Sequence, residues 1–298
     1  LSLSGTADIP VQEMDEITFS QLISFFRNPV KAFYNNVLNV YLDETDLDLH
    51  ETEIFELDNL QKWSLRNDLL SIDNAEYDKF RLQGVKKGFL TLKNSGVVAI
   101  DKNLEEIQYV KDMMGRIAAG HNNECYSLNL TIGDTILTGV IDNIFGDKVV
   151  QYSFSKSYAK YQFQAYLTAL VLAAADHPAQ VIYINNTEKK MYSVTKLSRD
   201  EAILRLQRLI AIYTEGHRNI LPFSFEFEAD KSGHFDVDWY NKSIHKYFNS
   251  NSDDKIDIYL KYANERETFN HSDAYEQCKG VAEATWKMIK SCLHEILF

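Results

Sequence analysis

Hydrophobic positions in the first part of the chain recur at helical spacing. Thr18 followed by Gln21 forms a capping-box pattern in front of an apolar run, and Asn28-Pro29 ends that helix and begins another. The same spacing predicts further helices over 58–70, 77–83 and 104–119. We therefore expect the chain to be largely helical as far as about residue 119.

Near residue 126 the pattern changes from helical to alternating. Residues 126–132 alternate between polar and apolar, and Gly133-Asp134 provides a tight turn to a second strand over 135–145. Gly146-Asp147 provides another turn, to a third strand over 148–154. Two short turns between three strands predict an antiparallel meander.

Helices and strands alternate after the meander. The pattern predicts a helix over 159–175, strands over 181–184 and 191–195, and helices over 198–216, 239–248, 256–262 and 272–297. The order helix, meander, helix, strand predicts an α/β (α+β) fold of the restriction-endonuclease-like PD-(D/E)xK type. In that fold a mixed sheet containing the meander is flanked by helices, and this chain would add N- and C-terminal helices.

The domain organisation follows from the same pattern. Residues 1–15 are small, polar and acidic, so we expect a linker there, and residues 16–298 are expected to form one domain. Its core would span about 100–217, with helical additions over 16–99 and 218–298. The chain begins without Met, which suggests either a piece of a longer protein or a processed product.

Composition narrows the class of protein. With 45% hydrophobic and 25% charged residues, the 298-residue chain is typical of a globular protein. The formal net charge of −12 argues against autonomous, tight DNA binding, although a local basic groove stays possible. The three widely spaced Cys form no CxxC pair, so we expect a cytoplasmic location without disulfides or zinc. The longest apolar run, over 167–175 and interrupted only by Thr168, is too short for a membrane span.

A nuclease of the expected fold binds metal ions with carboxylates from two neighbouring strands. The second meander strand supplies an Asp, and the third supplies an acidic residue, any residue and then a Lys, which together hold Mg²⁺ and orient the attacking water. Asp142 occupies the first position, but Gln151 and Ser153 stand where the acid and the Lys belong. The next helix carries Gln162 and Tyr166 one turn apart, a pair that also fits core packing. These five positions form a degenerate site, so we expect no catalytic residues, no metal and no other cofactor.

Alternatives stay open for this site. Asp142 is either a metal ligand or a strand-end Asp that accepts hydrogen bonds, and the missing partner carboxylate favours the second. A divergent metal-dependent DNA nuclease would need Mg²⁺ held by Asp142 and Gln151, with a migrated Lys at Lys156 or Lys160. A third possibility is a free-standing adaptor without a role on DNA.

The N-terminal block is the most specific part of the sequence. It reads Phe25-Phe26-Arg27-Asn28-Pro29-Val30-Lys31-Ala32-Phe33, and it is followed by Leu42-Asp43-Glu44, Glu53-Ile54-Phe55-Glu56-Leu57-Asp58-Asn59-Leu60 and Leu65-Arg66-Asn67-Asp68-Leu69-Leu70. This series resembles the C-terminal domain of RecC, the gamma subunit of bacterial exodeoxyribonuclease V. The likeness extends to the strand at Thr138-Gly139 and to the apolar helix after it.

The resemblance implies a nuclease-like domain that has lost catalysis. It implies a scaffold within the RecBCD helicase–nuclease, in contact with RecB-like and RecD-like subunits and with DNA, acting in double-strand-break repair and homologous recombination. Active relatives of the RecB nuclease type carry a His on the helix before the meander, and residues 96–99 offer none.

Four lysines are candidates for contact with DNA phosphates: Lys156, Lys160, Lys189 and Lys190. Lys189 and Lys190 are expected at the tip of a hairpin, where they would be accessible. A basic pair on a turn is also ordinary solvated surface, so both interpretations stay open.

Overall fold

The structure, a computed structural model, describes residues 15–42, 59–72, 76–86, 94–156, 158–225, 227, 235–248, 257–265 and 271–297. Within those ranges the helices are α1 Phe19–Arg27, α2 Pro29–Asn36, α3 Asn59–Leu70, α4 Tyr77–Lys86, α5 Asn94–Ile117, α6 Ala159–Ala174, α7 Arg199–Glu215, α8 Val237–Phe248, α9 Ile258–Glu265, α10 His271–Ala284 and α11 Trp286–Cys292. The strands are β1 Glu16–Thr18, β2 Asn123–Ile132, β3 Thr135–Phe145, β4 Lys148–Ser153, β5 Gln180–Asn185, β6 Lys190–Val194 and β7 Leu293–Ile296. The predicted linker over 1–15, apart from Asp15, and residues 43–58 of the RecC-like series lie outside the described residues.

The described strands form one mixed, open sheet in the order β1-β3-β4-β5-β6-β7, with β2 paired to the remaining edge of β3. The pairs β1–β3 and β4–β5 are parallel, and the other pairs are antiparallel. Helices lie against this sheet, as a mixed α/β protein requires. The predicted α/β class with a mixed sheet and flanking helices is therefore confirmed.

The predicted meander is also confirmed. β2, β3 and β4 are consecutive antiparallel strands, and the two Gly-Asp turns join them. Gly133 and Gly146 have φ of +62° and +60°, a backbone region that favours Gly, so the turn chemistry accounts for their positions. Pairing between β3 and β4 is short and consists of Ile144 with Val149 and Phe145 with Lys148. Beyond it, β1 pairs with the same edge of β3, so the two strands β4 and β1 share that edge.

Two hydrophobic cores lie on opposite faces of the sheet. The larger core joins α1, α2, α6, α7 and the C-terminal helices with sheet residues that include Leu137, Val149 and Tyr183. The smaller core packs α5, through Val110, onto the other face, through Val150. α3 packs on α5 beyond it. Apolar residues alternate between the two cores along β4 because successive strand residues point to opposite faces. Among the described helices, none combines the length and apolar character needed to cross a bilayer.

Three parts of the element pattern differ from the prediction. The helix predicted over 104–119 is longer, since α5 begins at Asn94 and ends at Ile117. The single final helix over 272–297 is wrong: α10 ends at Ala284, α11 ends at Cys292, and residues 293–296 form β7, which pairs with β6. Helical spacing and strand alternation are hard to separate over so short a segment at a chain end. β1 was not predicted either, because a three-residue strand in front of a capped helix has no periodicity of its own.

The RecC-like N-terminal block forms the corner between α1 and α2. Asn28 caps α2, since its Oδ1 accepts from the Lys31 N–H at 2.9 Å, and Pro29 occupies the first helical position. The Nδ2 of Asn28 donates to Asp257, whose carboxylate also accepts from the backbone at the start of α9. Phe25 and Phe26 are buried in the larger core. The distinctive residues of the block therefore build a structural corner.

Candidate functional site

Asp142 lies at an irregularity of β3. The pairing of β2 with β3 shifts between Tyr126–Ile141 and Glu124–Ile144, so Asp142 and Asn143 together oppose one residue of β2, a β-bulge. Asn143 has a φ of +56°, which Asn tolerates better than most residues. Asp142 is exposed, and its Oδ1 accepts from Asn143 Nδ2 at 3.5 Å.

Gln151 and Ser153, at the positions where an acid and a Lys were sought, point into the larger core. Gln151 Nε2 donates to Thr168 Oγ1 on α6 at 2.6 Å, and Thr168 in turn donates to the Gln164 carbonyl at 2.8 Å. Ser153 Oγ shares a hydrogen bond of 2.6 Å with Tyr183 Oη on β5. Ser153 is buried, and Gln151 Oε1 is buried without a hydrogen-bond partner. These side chains are thus engaged with α6 and β5.

Asp142 does not join that arrangement. Extending the β3–β4 register would put Asp142 across from Gln151, but the pairing stops at Ile144–Val149. Burial raises the pKa of Tyr152, and the negative charge of Asp142 raises it further. Tyr152 packs with the smaller core and donates to Asn67 Oδ1 at 3.1 Å, on the face of the sheet opposite Gln151. Gln151 and Ser153 therefore bond to partners in the larger core, whereas the charge of Asp142 acts on Tyr152, which lies on the opposite face of the sheet.

Gln162 and Tyr166 are both buried on α6. Tyr166 is fully enclosed, and burial raises the pKa of its hydroxyl to about 12. Arg205 of α7 donates from Nη1 to Tyr166 Oη at 3.3 Å and to Cys292 Sγ at 3.2 Å. Tyr166 therefore acts as a packed side chain that joins α6, α7 and the end of α11.

The four candidate lysines occupy different environments. Lys156 is exposed, and Lys160 lies with its Nζ 5.6 Å from the centre of the Tyr161 ring. Lys189 Nζ donates to Asn186 Oδ1 at 2.9 Å, and partial burial lowers its pKa. Lys190 Nζ forms an ion pair of 2.9 Å with Glu295 on β7, and that hydrogen bond raises the pKa of Lys190.

The hairpin pair, Lys189 and Lys190, is exposed, and both side chains have contacts within the chain. Lys189 stands 5.3 Å from the centre of the Tyr109 ring, in addition to its amide contact. Lys190 has its charge offset by a carboxylate on the neighbouring strand. To bind either lysine, a DNA phosphate would have to displace these contacts. Lys156 is also exposed.

The described part of the chain contains no group of three or more His, Cys, Asp or Glu side chains that could hold a metal ion. At the degenerate site the donors are one exposed carboxylate, one amide and one hydroxyl. The amide nitrogen and the hydroxyl are bonded to Thr168 and Tyr183, and the amide oxygen is buried without a hydrogen-bond partner. Mg²⁺ is bound in proteins mainly through carboxylates and retained water, so this donor set does not fit the ion.

Sequence reasoning missed the residues that hold the site together. Thr168 was visible as the one polar residue in the apolar run of α6, which is a signal for a buried hydrogen bond. Tyr183 had a weaker signal as a polar-tipped residue inside a buried strand. Arg205 had none, because its partners come from α6 and α11 and meet it only in the folded chain.

The architecture defines the class as a mixed α/β domain, with an open helix-flanked sheet and a buried polar layer between β4 and α6. Within that class, the family model for the RecC C-terminal domain matches residues 14–229. The chain belongs to the RecC C-terminal domain family, and the resemblance drawn from the N-terminal block is confirmed.

Curated relatives are RecC subunits of the RecBCD enzyme. The chain is similar to that of Haemophilus influenzae, with 25% identity over 220 residues that cover 70% of this chain and 19% of the relative. The subunit of Mycobacterium tuberculosis is 23% identical over 231 residues, covering 72% and 20%. That of Escherichia coli is 23% identical over 221 residues, covering 70% and 18%. The chain thus spans about one fifth of the length of these relatives.

Proposed function

We propose that this chain is a non-catalytic structural and DNA-handling domain of a RecC-like subunit. The subunit would act within a RecBCD-type helicase–nuclease in the cytoplasm, in double-strand-break repair and recombination. Membership of the RecC C-terminal domain family supports the placement. The sheet with its meander, followed by α6, supports descent from a PD-(D/E)xK nuclease.

One observation carries the proposed loss of catalysis. Gln151 and Ser153 are bonded to Thr168 and Tyr183 in the protein interior instead of being presented beside Asp142. An active site needs its metal-binding and water-orienting groups to converge on one reacting centre. With one carboxylate, the site offers too little charge to offset the dehydration of Mg²⁺. We therefore propose that the chain uses no metal cofactor and has no catalytic residues.

The partners follow from the complex that the relatives belong to. The curated relatives are named as subunits of the RecBCD enzyme. We propose that this chain contacts RecB-like and RecD-like subunits and meets DNA only within the complex. The formal net charge of −12 agrees with DNA contact that depends on other subunits. Of the candidate phosphate contacts, Lys156, Lys189 and Lys190 are exposed.

A nuclease assay of the purified chain tests this proposal. Single- and double-stranded DNA would be incubated with Mg²⁺ or Mn²⁺, beside an Asp142→Ala variant as the matched control. We expect no cleavage by either protein. Cleavage by the wild type that disappears in Asp142→Ala would overturn the proposal and favour the divergent nuclease with Lys156 or Lys160.

A pull-down separates the scaffold from a free-standing adaptor. The chain would be used as bait for the RecB-like and RecD-like subunits encoded in the same genome. We expect at least one of them to be retained in stoichiometric amount. Retention of neither would contradict the scaffold role whatever the nuclease assay shows.

A further inference from the structure

Two cations lie against one aromatic ring where α1 meets α6. The guanidinium carbon of Arg27, the last residue of α1, lies 5.4 Å from the centre of the Tyr161 ring, and Lys160 Nζ lies 5.6 Å from the same centre. Arg27 Nη2 also donates to Gln164 Oε1 on α6 at 2.7 Å. We name Arg27, Lys160 and Tyr161 the basic clamp. Its two positive charges come from distant parts of the sequence and meet only in the folded chain.

The segments that carry the basic clamp contain no acidic residue. Residues 17–42, which include α1 and α2, and residues 148–175, which include α6, have no Asp or Glu. In a chain with a formal net charge of −12, these two segments carry only positive charge: Arg27, Lys31, Lys148, Lys156 and Lys160. Arg27 and Lys156 are exposed, and the described contacts give neither of them a carboxylate partner. The clamp is therefore a local region of positive potential on an acidic protein.

Acids from other segments lie close to two of these five cations. Lys148 Nζ forms an ion pair of 2.9 Å with Asp147. Burial raises the pKa of Asp257, and the nearby charge of Lys31 offsets part of that rise. Glu188 approaches the start of α6, but its carboxylate accepts hydrogen bonds from its own hairpin. The positive charge available to a ligand is therefore that of the clamp together with Lys156.

The start of α6 adds positive potential at the same place. α6 begins at Ala159 without a side-chain cap, and its first turn contains no acidic residue. Lys160 lies in that turn, where the positive end of the helix dipole disfavours a cation and favours an anion. The guanidinium of Arg27 against the same Tyr161 ring repels Lys160 as well. An anion bound at the clamp would be attracted by both charges and by the helix.

Phosphate is the anion that fits this arrangement in a DNA-handling subunit. A large share of protein–DNA hydrogen bonds goes to phosphate oxygens, from Arg and Lys side chains and from helix N-termini. The planar guanidinium of Arg27 can bind a phosphate through two N–H groups, and Lys160 adds a point charge. We infer that the basic clamp, with Lys156 four residues before it, binds the phosphate backbone of DNA without reading its sequence. This inference rests on the proposed function and names the surface of this chain that DNA meets.

Removal of the two charges tests the inference in the assembled complex. Arg27→Gln and Lys160→Gln would be combined in the full RecC-like subunit, which is then assembled with the RecB-like and RecD-like subunits of the same genome. DNA affinity would be measured by fluorescence anisotropy in EDTA over a series of salt concentrations. We expect affinity to fall by about tenfold or more near 0.1 M salt, and the slope of log affinity against log salt to fall by about two. The loss should be equal for two unrelated DNA sequences.

Lys279→Gln on α10 is the matched control. Lys279 Nζ lies 5.6 Å from the centre of the Tyr275 ring, the same distance that separates Lys160 from Tyr161. This variant removes one charge from the same kind of contact elsewhere, so affinity and slope should stay unchanged. Lys160→Gln alone keeps the bond between Arg27 and Gln164 and should lower the slope by about one, which tests the clamp if the double variant unfolds.

Each outcome decides a different point. Loss of affinity and of slope in the clamp variants but not in Lys279→Gln, with assembly and unfolding midpoints unchanged, supports the inference. Unchanged affinity and slope, in a complex that binds DNA, overturns it and leaves the proposed function intact. A wild-type subunit that does not assemble, or a wild-type complex that does not bind DNA, contradicts the proposed function itself. Loss of assembly in the clamp variants would overturn the inference in favour of an acidic partner surface, and an equal loss in Lys279→Gln would overturn it as a general effect of charge.

Discussion

At the scale of single residues, β4 directs a neutral amide and a hydroxyl into the interior. Gln151 and Ser153 face the larger core, where an uncompensated charge would be costly. Their bonds to Thr168 and Tyr183 satisfy polar groups that would otherwise be buried without partners. The two side chains therefore form a polar layer that joins β4 to α6 and β5.

The first prediction concerns the bond between Gln151 and Thr168. Thr168→Val leaves the buried Gln151 amide without its acceptor, so we expect the free energy of unfolding to fall by about 1–3 kcal/mol. Adding Gln151→Leu removes the stranded amide and should restore part of that loss. Urea unfolding of the two single variants and the double variant measures both effects. A double variant that loses the sum of the two single losses would contradict the coupling.

At the same scale, the buried His217 makes the stability of the protein depend on pH. Its ring stacks on Phe25 with centroids 5.7 Å apart, and Nδ1 lies 2.8 Å from the Tyr213 carbonyl, to which it donates. Burial lowers the pKa of His217 below its usual value of 6.5. The unfolded chain then binds the proton more readily than the folded chain. The contribution of neutral His217 to the free energy of unfolding is therefore fully present above about pH 6.5. It is lost as the pH falls through the lowered pKa of the folded state.

The second prediction removes that titration. His217→Phe keeps an aromatic ring beside Phe25 and cannot be protonated, so the loss of stability between about pH 7.5 and 5.5 should be smaller than in the wild type. Unfolding midpoints at a series of pH values measure it. Burial also lowers the pKa of His177, so His177→Phe is the matched control. It should remove a separate part of the pH dependence of the unfolding midpoint. An unchanged pH profile in His217→Phe would show that this histidine is not the source.

At the scale of elements, the corner between α1 and α2 depends on an interaction with a distant helix. Asn28 caps α2 and also donates to Asp257, the residue that caps α9. The two helices are far apart in sequence but in contact, with Tyr34 against the rings of Tyr259 and Tyr262. One side chain therefore stabilises two helix ends and fixes their relative position.

The third prediction tests this double role. Asn28→Ala removes the cap and the amide that Asp257 accepts from, and we expect a loss of about 1–2 kcal/mol in the free energy of unfolding. Asn28→Asp retains a capping oxygen but puts a carboxylate beside Asp257. Because burial already raises the pKa of Asp257, this variant should be least stable at neutral pH and recover in acid. Equal stability of Asn28→Asp and the wild type at pH 7 would contradict the contact.

At the scale of the whole molecule, both ends of the chain contribute to the same core. Helices α1 and α2 from the N-terminal part and α8 to α11 from the C-terminal part share the larger core with α6 and α7. β1 and β7 lie outside the region 100–217 but belong to the sheet. Among the described residues, the larger core and the sheet therefore include elements from outside 100–217 as well as from inside it.

The fourth prediction follows from the shared core. If residues 16–298 form one domain, far-UV circular dichroism and tryptophan fluorescence should give coincident urea transitions, because the helical parts cannot leave the core separately. A fluorescence transition at lower urea than the loss of helix would indicate a separate unit. Limited proteolysis between the two transitions would then identify it.

The predictable parts of this protein are those that local physics encodes. Helical spacing and the Thr18 capping box located α1, and Asn28-Pro29 located the start of α2. Strand alternation with Gly-Asp turns located the meander, because the positive φ of Gly133 and Gly146 is a property of the turn itself. The identities of Asp142, Gln151 and Ser153 were the basis for predicting a degenerate nuclease site, and that remains a prediction.

The remaining features depend on groups that meet only when the chain is folded. β7 exists because the end of the chain pairs with β6, and its four residues carry too little pattern to declare a strand. The side chains of Gln151 and Ser153 point into the interior, where they bond to Thr168 on α6 and Tyr183 on β5. These partners meet β4 only in the folded chain. Val140 of β3 is 60% exposed, whereas α5 packs mainly on β4 and β5 and reaches β3 at Phe145. Sequence by itself thus determined most of the helices and the meander through short-range backbone and side-chain preferences. Tertiary structure alone decided where the polar residues point and which surface stays open, because both depend on packing between distant segments.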